Sequence, residues 1–461
     1  MDKSEKLWGG RFEENTNELV EQFSESVSYD WKLYQYDIEG SVVHAQMLEK
    51  IGVLTEEECE KIVNGLEEIK NEIEEKGSDF FDYKLEDVHM NIESALIEKI
   101  GDIGRKLHTA RSRNDQVCLD VRMWLKEAVD VLLRNITLLQ KSFVDLAEKN
   151  IKVIIPEYTH LQHAQPVLLA HHLLAYVEML ERDIERLEDC KKRTITMPLG
   201  SGACVGTSIP IDREFIKERL GFFALTENSV DAVSDRDFII EFLSCLSIIA
   251  MHLSRLSQEF VLWSSSEFGY INLPDAYCTG SSMMPQKKNP DTLELIRGKT
   301  GSIYGALMAV LTTMKGLSLS YNRDMQEDKK ELIIATNEIM ISLRLLGELV
   351  PLVGINEDRC LEHANKGFMY ATDMAEYLVK KNTPFREAHN IIGKIISYCV
   401  KEDKDVSKIK LSELKKYSDL FEKDIYEAIT LKNCIESKDI IGGTATSQVT
   451  KQIEKWKHVL V

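Results

Sequence analysis

The sequence predicts an all-α protein built on an antiparallel bundle of long helices, and three observations carry that prediction. Turn formers are scarce: 24 Gly and 9 Pro in 461 residues fall below the ~7% and ~5% of ordinary globular chains, so the elements must be long. Five stretches keep apolar side chains three and four residues apart, the period of a helix with one buried face. One of the five is apolar on almost every face, which only enclosure satisfies.

Taken in order, the residues up to about 110 read as shorter helices broken at Gly40, Gly52, Gly77 and Gly101. The first long run, from about 115 to 150, holds neither Gly nor Pro. Val117, Val121, Trp124, Leu125, Ala128, Leu132, Leu139, Phe143 and Leu146 recur along it, and a helix of that length spans roughly 50 Å. The second extends from Pro166 to about Arg193. The third, from Ser234 to about Trp263, opens with Ser234-x-x-Asp237, a capping-box-like start. It continues through Phe238, Ile239, Ile240, Phe242, Leu243, Leu246, Ile248, Ile249, Met251 and Leu253. A five-helix bundle encloses few positions completely, so neighbouring copies of the chain are expected to cover this run. The fourth run starts at Pro290 and the fifth spans about Asp324 to Val350. Beyond 360 shorter Lys- and Glu-rich helices return, split at Thr383-Pro384 and ending in Gly442-Gly443. The expected division is 1–111, 112–362 and 363–461: an N-terminal helical domain, a central long-helix bundle and a C-terminal helical domain.

Charge narrows the partners. Lys and Arg number 57 against 76 Asp and Glu, a net −19. That argues against unaided binding to nucleic acid or an acidic membrane, both of which are held by neutralising phosphates. A small anionic ligand needs only a few cations in one pocket. The nine cysteines are widely spaced with no CxxC pair, which fits a reducing cytoplasm and neither a disulfide framework nor a structural zinc site. The opening MDKSEKLWGGRF has no apolar core of a signal peptide, and no uninterrupted apolar span of about 18 residues occurs. Membrane insertion and secretion are not expected.

Four polar stretches at helix ends are the places for chemistry: Leu107–Gln116, Glu157–Pro166, Gly269–Pro290 and Ser320–Lys330. In the third, Gly280-Ser281-Ser282 is followed by Lys287, Lys288 and Asn289-Pro290-Asp291. The last three read as a helix start, with Asn289 as N-cap and Pro290 at the first helical position. Cations and free N–H groups there would favour a carboxylate and lower the pKa of a serine hydroxyl. The plainer reading is a flexible loop with a capped helix. His160 and His163 share Tyr158-Thr159-His160-Leu161-Gln162-His163, ahead of a helix and without a Cys or carboxylate at ligand spacing. A general acid/base or a satisfied structural His fits better than a metal ligand. His171-His172 lies in an apolar helix, where core packing is the expectation. Arg111-Ser112-Arg113-Asn114-Asp115 suits an anion, or supplies an N-cap from Asn114 or Asp115. Gly200-Ser201-Gly202-Ala203-Cys204-Val205-Gly206 has the wrong spacing for a dinucleotide fingerprint and follows a charged helix, so it is read as a loop.

Gly280-Ser-Ser-Met-Met-Pro-Gln-Lys-Lys-Asn-Pro-Asp291 resembles the signature loop of the fumarase/aspartase superfamily. Leu7–Phe12, Glu86–Glu93, His108–Val117, Tyr158–Gln162 and Tyr321–Lys329 narrow the resemblance to the argininosuccinate lyase family, in family order from residue 7 to at least 330. The resemblance implies an all-α, three-domain homotetramer whose active sites combine loops from several subunits. It implies reversible cleavage of argininosuccinate to arginine and fumarate with neither metal nor organic cofactor. Carried onto this sequence, Ser281 is the general base, and Lys287 and Asn289 hold the charge of an aci-carboxylate. His160, paired with Glu294, forms the acid side. Ser26, Arg113, Asn114, Thr159, Tyr321, Gln326 and Lys329 match substrate-binding positions, Arg236 is counted with them, and His89 and Asn91 line the same cleft. Adenylosuccinate lyase and fumarase share the loop chemistry, and some relatives serve as lens crystallins. The HTARSRNDQV stretch and the QKKNPD form favour argininosuccinate.

Overall fold

The computed structural model describes residues 16–460; the Leu7–Phe12 stretch lies outside them. The chain is mostly helical. Its principal helices are α1 (Tyr34–Lys50), α2 (Glu56–Lys76), α3 (Val88–Ile100), α4 (Arg113–Lys149), α5 (Leu169–Thr194), α6 (Asp237–Trp263), α7 (Asp291–Met314), α8 (Asp328–Leu349), α9 (Glu357–Ala364), α10 (Ala371–Lys380), α11 (Phe385–Lys401) and α12 (Thr446–Val459). Two compact units emerge. The first comprises Met1–Arg134, Asp183–Ala250 and Lys299–Met340, the second Asn135–Arg182, Met251–Gly298 and Ile341–Val461. Each of the five long helices gives one stretch to each unit.

Local chemistry sets the helix ends. Thr55 and Glu58 form a reciprocal capping box at the start of α2, satisfying donors that the first turn leaves open. At α4 the cap is Ser112, not Asn114 or Asp115. The Ser112 hydroxyl accepts the Asn114 N–H at 3.3 Å, and Asp115 Oδ1 takes the Ser112 N–H at 2.9 Å. The expected start of the third run is also displaced. Ser234 closes a short helix, Ser229–Ser234, and Asp235 Oδ1 accepts the N–H of Asp237 at 2.7 Å where α6 begins.

Helix α6 is long and apolar enough to cross a membrane by length and composition. Along it, however, only Asp237 and Arg255 are exposed, the mark of a core helix. The chain encloses most of this run, while Ile240, Ile248, Met251, Val261 and Leu262 remain half-buried along it. Exposed apolar side chains lie instead on α7, where Leu295, Tyr304, Met308 and Leu311 face solvent.

Small two-stranded sheets interrupt the helices. Strands β1 (Ile154–Thr159) and β2 (Gln162–Leu168) form an antiparallel hairpin where the sequence suggested a loop and the start of a helix. Thr196–Met197 pairs in parallel with Ala224–Leu225, and Ile271–Asn272 pairs antiparallel with Gly354–Ile355. Within the second unit, Met374, Leu378, Ile392, Ile395 and Phe421 belong to a buried cluster under the C-terminal helices. All nine cysteines are free thiols. Seven are buried, and Cys204 and Cys278 are half-buried.

Candidate active site

The sequence-predicted residues fall in both units. In the first, the approach to α3 organises one group. Asp87 caps that helix by accepting the Met90 N–H at 2.8 Å, and its other oxygen takes Arg113 Nη1 at 3.0 Å. Before it, Glu86 is held at φ 68 and ψ −64, the rare and strained centre of a γ-turn closed by the Asp87 N–H on the Leu85 carbonyl at 2.8 Å. That twist turns its carbonyl onto the N–H groups of Ser26 (2.8 Å) and Val27 (3.0 Å). Its buried carboxylate lies 3.7 Å from Arg113 Nη1 and 3.5 Å from Arg323 Nη1. Ser26 Oγ donates to Asp30 at 2.5 Å, and Asp30 also accepts the Val88 N–H. Burial, reinforced by the Asp87 charge, raises Asp30 to about 6. Gln326 Nε2 and Arg323 Nη2 both donate to the Ser24 carbonyl, at 3.1 and 2.7 Å.

Deeper in this unit, Lys329 Nζ donates to Asp328 Oδ1 at 2.8 Å, while Arg236 Nε donates to Asp328 Oδ2. Burial opposes ionisation of Asp328, but the two cations outweigh it and hold the carboxyl below its usual range. His89 Nδ1 donates to Asp37 at 2.5 Å, with Asp120 at 3.3 Å. Burial pulls its pKa down, but the Asp37 hydrogen bond and the charges of Asp37, Asp87 and Asp120 together outweigh it, and the ring stands at about 9. Asp37, His89 and Asp120 are the donor set close enough to suggest an ion among the described residues. The 2.5 Å bond is a direct proton bridge, closer than two ligands sharing a metal would approach. Asn91 holds the preceding loop by accepting the Asp82 N–H (2.8 Å) and donating to the Asp82 and Asp87 carbonyls. Asn114 Nδ2 donates to the Ala203 carbonyl at 3.1 Å, and Asp115 Oδ2 takes the N–H groups of Gly200 and Gly202. The Gly200–Gly206 stretch is thus a loop fastened to α4. Tyr321 is half-buried.

In the second unit, Thr159 and His160 form the exposed end of the hairpin. His160 (φ 52) and Leu161 (φ 55) make its two-residue turn in the left-handed region, without glycine. On the Gly280 loop, Ser281 Oγ accepts the N–H groups of Met284 (3.0 Å) and Met283 (3.3 Å). Lys287 is exposed, and Lys288 Nζ is tied to the Leu273 carbonyl and Asp275, each at 2.5 Å. Asn289 is not the N-cap. Its backbone pairs in both directions with Thr279, and the Pro290 carbonyl is the first to accept from the helix, at Leu293 and Glu294. Within the chain, Glu294 lies 3.6 Å from Arg297 and not against His160.

Sequence reasoning missed Asp30, Glu86, Asp87 and Arg323, which bind the first group together. Asp87 ahead of an apolar helical run was the available signal, being an N-cap residue in N-cap position.

A family model described as lyase matches residues 10–305, and one described as argininosuccinate lyase C-terminal matches residues 368–436. The argininosuccinate lyase of Pelotomaculum thermopropionicum is 51% identical over 455 residues, covering 99% of both chains. That of Pseudomonas fluorescens is 50% identical over 461 residues, covering 100% of this chain and 99% of its own. Among solved structures, EDDS lyase in complex with formate superposes with a TM-score of 0.84 at 26% identity, over 96% of this chain and 90% of that one. The class II fumarase of Schistosoma mansoni, at 18% identity and a TM-score of 0.74 over 87% of this chain and 90% of that one, shares the fold. With half of its residues shared along nearly the whole length of such relatives, the chain belongs to the argininosuccinate lyase family and is a lyase.

Proposed function

We propose that this lyase cleaves argininosuccinate reversibly to arginine and fumarate, with Ser281 as the general base. The supporting observation is that two backbone N–H groups converge on Ser281 Oγ. Donors aimed at a hydroxyl oxygen favour its deprotonated form. Ser281 then takes the proton from the carbon beside the succinyl carboxylate, leaving a carbanion stabilised as an aci-carboxylate. Lys287 and Asn289 hold that charge as it develops. The electron pair collapses into the double bond of fumarate as the bond from carbon to guanidinium nitrogen breaks. His160, working with Glu294, supplies the acid side that protonates the departing nitrogen. Thr159, Ser26, Arg113, Asn114, Arg236, Tyr321, Gln326 and Lys329 hold the substrate, with His89 and Asn91 behind them.

The protein works as a cytoplasmic homotetramer of three-domain chains, in which each active site combines loops from several copies. The exposed apolar residues of α7 supply a face for such association, and pairing across copies brings Glu294 to His160. Closure of the Gly280 loop excludes water that would screen the charges. No nucleic acid or membrane is needed. The decisive experiment follows fumarate by its ultraviolet absorbance. Product from argininosuccinate, and none from adenylosuccinate or malate, supports this reading; the reverse pattern overturns it.

A further inference from the structure

The hairpin end is strained, exposed and yet precisely set. Two successive non-glycine residues with positive φ, His160 and Leu161, persist only where their surroundings over-determine them. The strands below supply that constraint through an unusual contact. The register shifts between Pro156 and Tyr158, where Glu157 alone stands opposite Ala164 and Gln165 of a bulge in β2. The Glu157 carboxylate reaches His172 Nδ1 on α5 at 2.9 Å. The other ring nitrogen, Nε2, meets Glu259 of α6 at 2.8 Å, and Tyr176 also donates to that carboxylate. A neutral imidazole carries only one N–H, so two carboxylates on one ring require both nitrogens to be protonated. Burial works against that charge, but the bonds to Glu157 and Glu259 raise His172 to about 9. The Trp263 ring, 5.0 Å away between centroids, covers the imidazole. The expectation that His172 serves core packing is therefore too modest.

At the next residue a second anchor acts. Tyr158 OH bonds His163 Nε2 at 3.0 Å and also the Tyr270 hydroxyl, which bonds His363 Nδ1 of α9 at 2.9 Å. Gly367, at φ 78, lets His163 lie this close; a Cβ there would meet its Nδ1 at 2.7 Å.

We propose that His172 is a positioning residue for the reaction, tying Glu157 of β1 to Glu259 of α6 and so fixing the hairpin that presents Thr159 and His160. The inference rests on the reading above that these two residues act on the substrate. Without the cation, two carboxylates face one another and Glu157 loses its hold. Strands that keep the Tyr158 anchor but lose this one then let the turn relax.

The test compares the parent with His172→Gln, Glu157→Gln and the double variant. Hydrogen exchange of residues 154–168 is measured without substrate, and kcat and KM are measured with argininosuccinate. His172→Gln is expected to speed exchange in the hairpin several-fold while α4 is unchanged, and to lower kcat about tenfold with KM within about threefold. The double variant is expected to be no worse than His172→Gln, because both changes cut one tether. His172→Lys, which keeps a cation, should recover part of the rate. Unchanged hairpin exchange, a kcat within about twofold of the parent, or additive losses in the double variant would each overturn the proposal. If His172→Gln does not fold, Glu157→Gln decides by the same two readouts. A parent inactive on argininosuccinate refutes the reaction instead, while the exchange measurement, needing no substrate, still judges the tether.

Discussion

The carboxylate of Asp115 accepts the backbone N–H of Gly202 at 2.8 Å, one of three main-chain donors it satisfies, the others being Ser112 and Gly200. A single buried side chain thereby holds the Ser112 cap of α4 in place and fastens the Gly200 loop beside Asn114. Removing a buried acceptor strands each donor at about 1–3 kcal/mol. Asp115→Ala is therefore expected to lower the thermal midpoint by several degrees, read by circular dichroism. Asp115→Asn, which keeps one acceptor oxygen, should fall between it and the parent.

Ser281→Ala removes the oxygen on which the Met283 and Met284 N–H groups converge. Turnover should be lost while the assembly state and much of the substrate binding stay. Sedimentation and calorimetric binding check the second half. A variant with near-normal rates would end the general-base assignment.

Lys287 is exposed on the same loop, free to meet charge that develops on substrate. Lys287→Met should lower kcat more than it raises KM if the ammonium acts on the transition state. A change confined to KM would make it an anchor only.

Buried His89 and half-buried His172 give the protein an alkaline weakness. His89 and His172 both stand at about 9, above the ~6.5 of an unfolded chain. Each binds its proton more tightly when folded, so its stabilisation is whole below ~6.5 and is lost as pH rises through about 9. The thermal midpoint should decline across that window at constant ionic strength. In His172→Gln the decline should be shallower; an identical slope would remove His172 from the account.

Leu161 occupies a left-handed position at the hairpin end, at a cost of about 1–2 kcal/mol that asparagine largely avoids. Leu161→Asn should raise the midpoint slightly, an effect of about 1 kcal/mol or less. A lower midpoint would mean that the exposed leucine packs against something in the assembled protein.

The long helices were legible from their apolar period, and in α4, α5 and α6 no glycine competes with it. The hairpin was not, since its His160-Leu161 turn contains none of the usual turn formers and Pro166 read as a helix start. Asn289 has the right chemistry for a cap, but the Thr279 pairing takes its backbone first. Helix α6 shows the limit of pattern alone, for an all-round apolar sequence does not tell which molecule encloses it. The Ser281 loop could be singled out because its residues are adjacent. Asp30, Glu86, Asp87 and Arg323 come from separate segments, and no spacing rule joins them.

The distribution of thiols gives the experimenter a handle. Seven cysteines are shut away, and of the two that partly reach solvent, Cys278 stands three residues ahead of Ser281. An alkylating dye should therefore label this segment and Cys204 before any other position, without engineered mutations. Its fluorescence would then follow the loop as ligand arrives, turning an ordinary side chain into a built-in reporter.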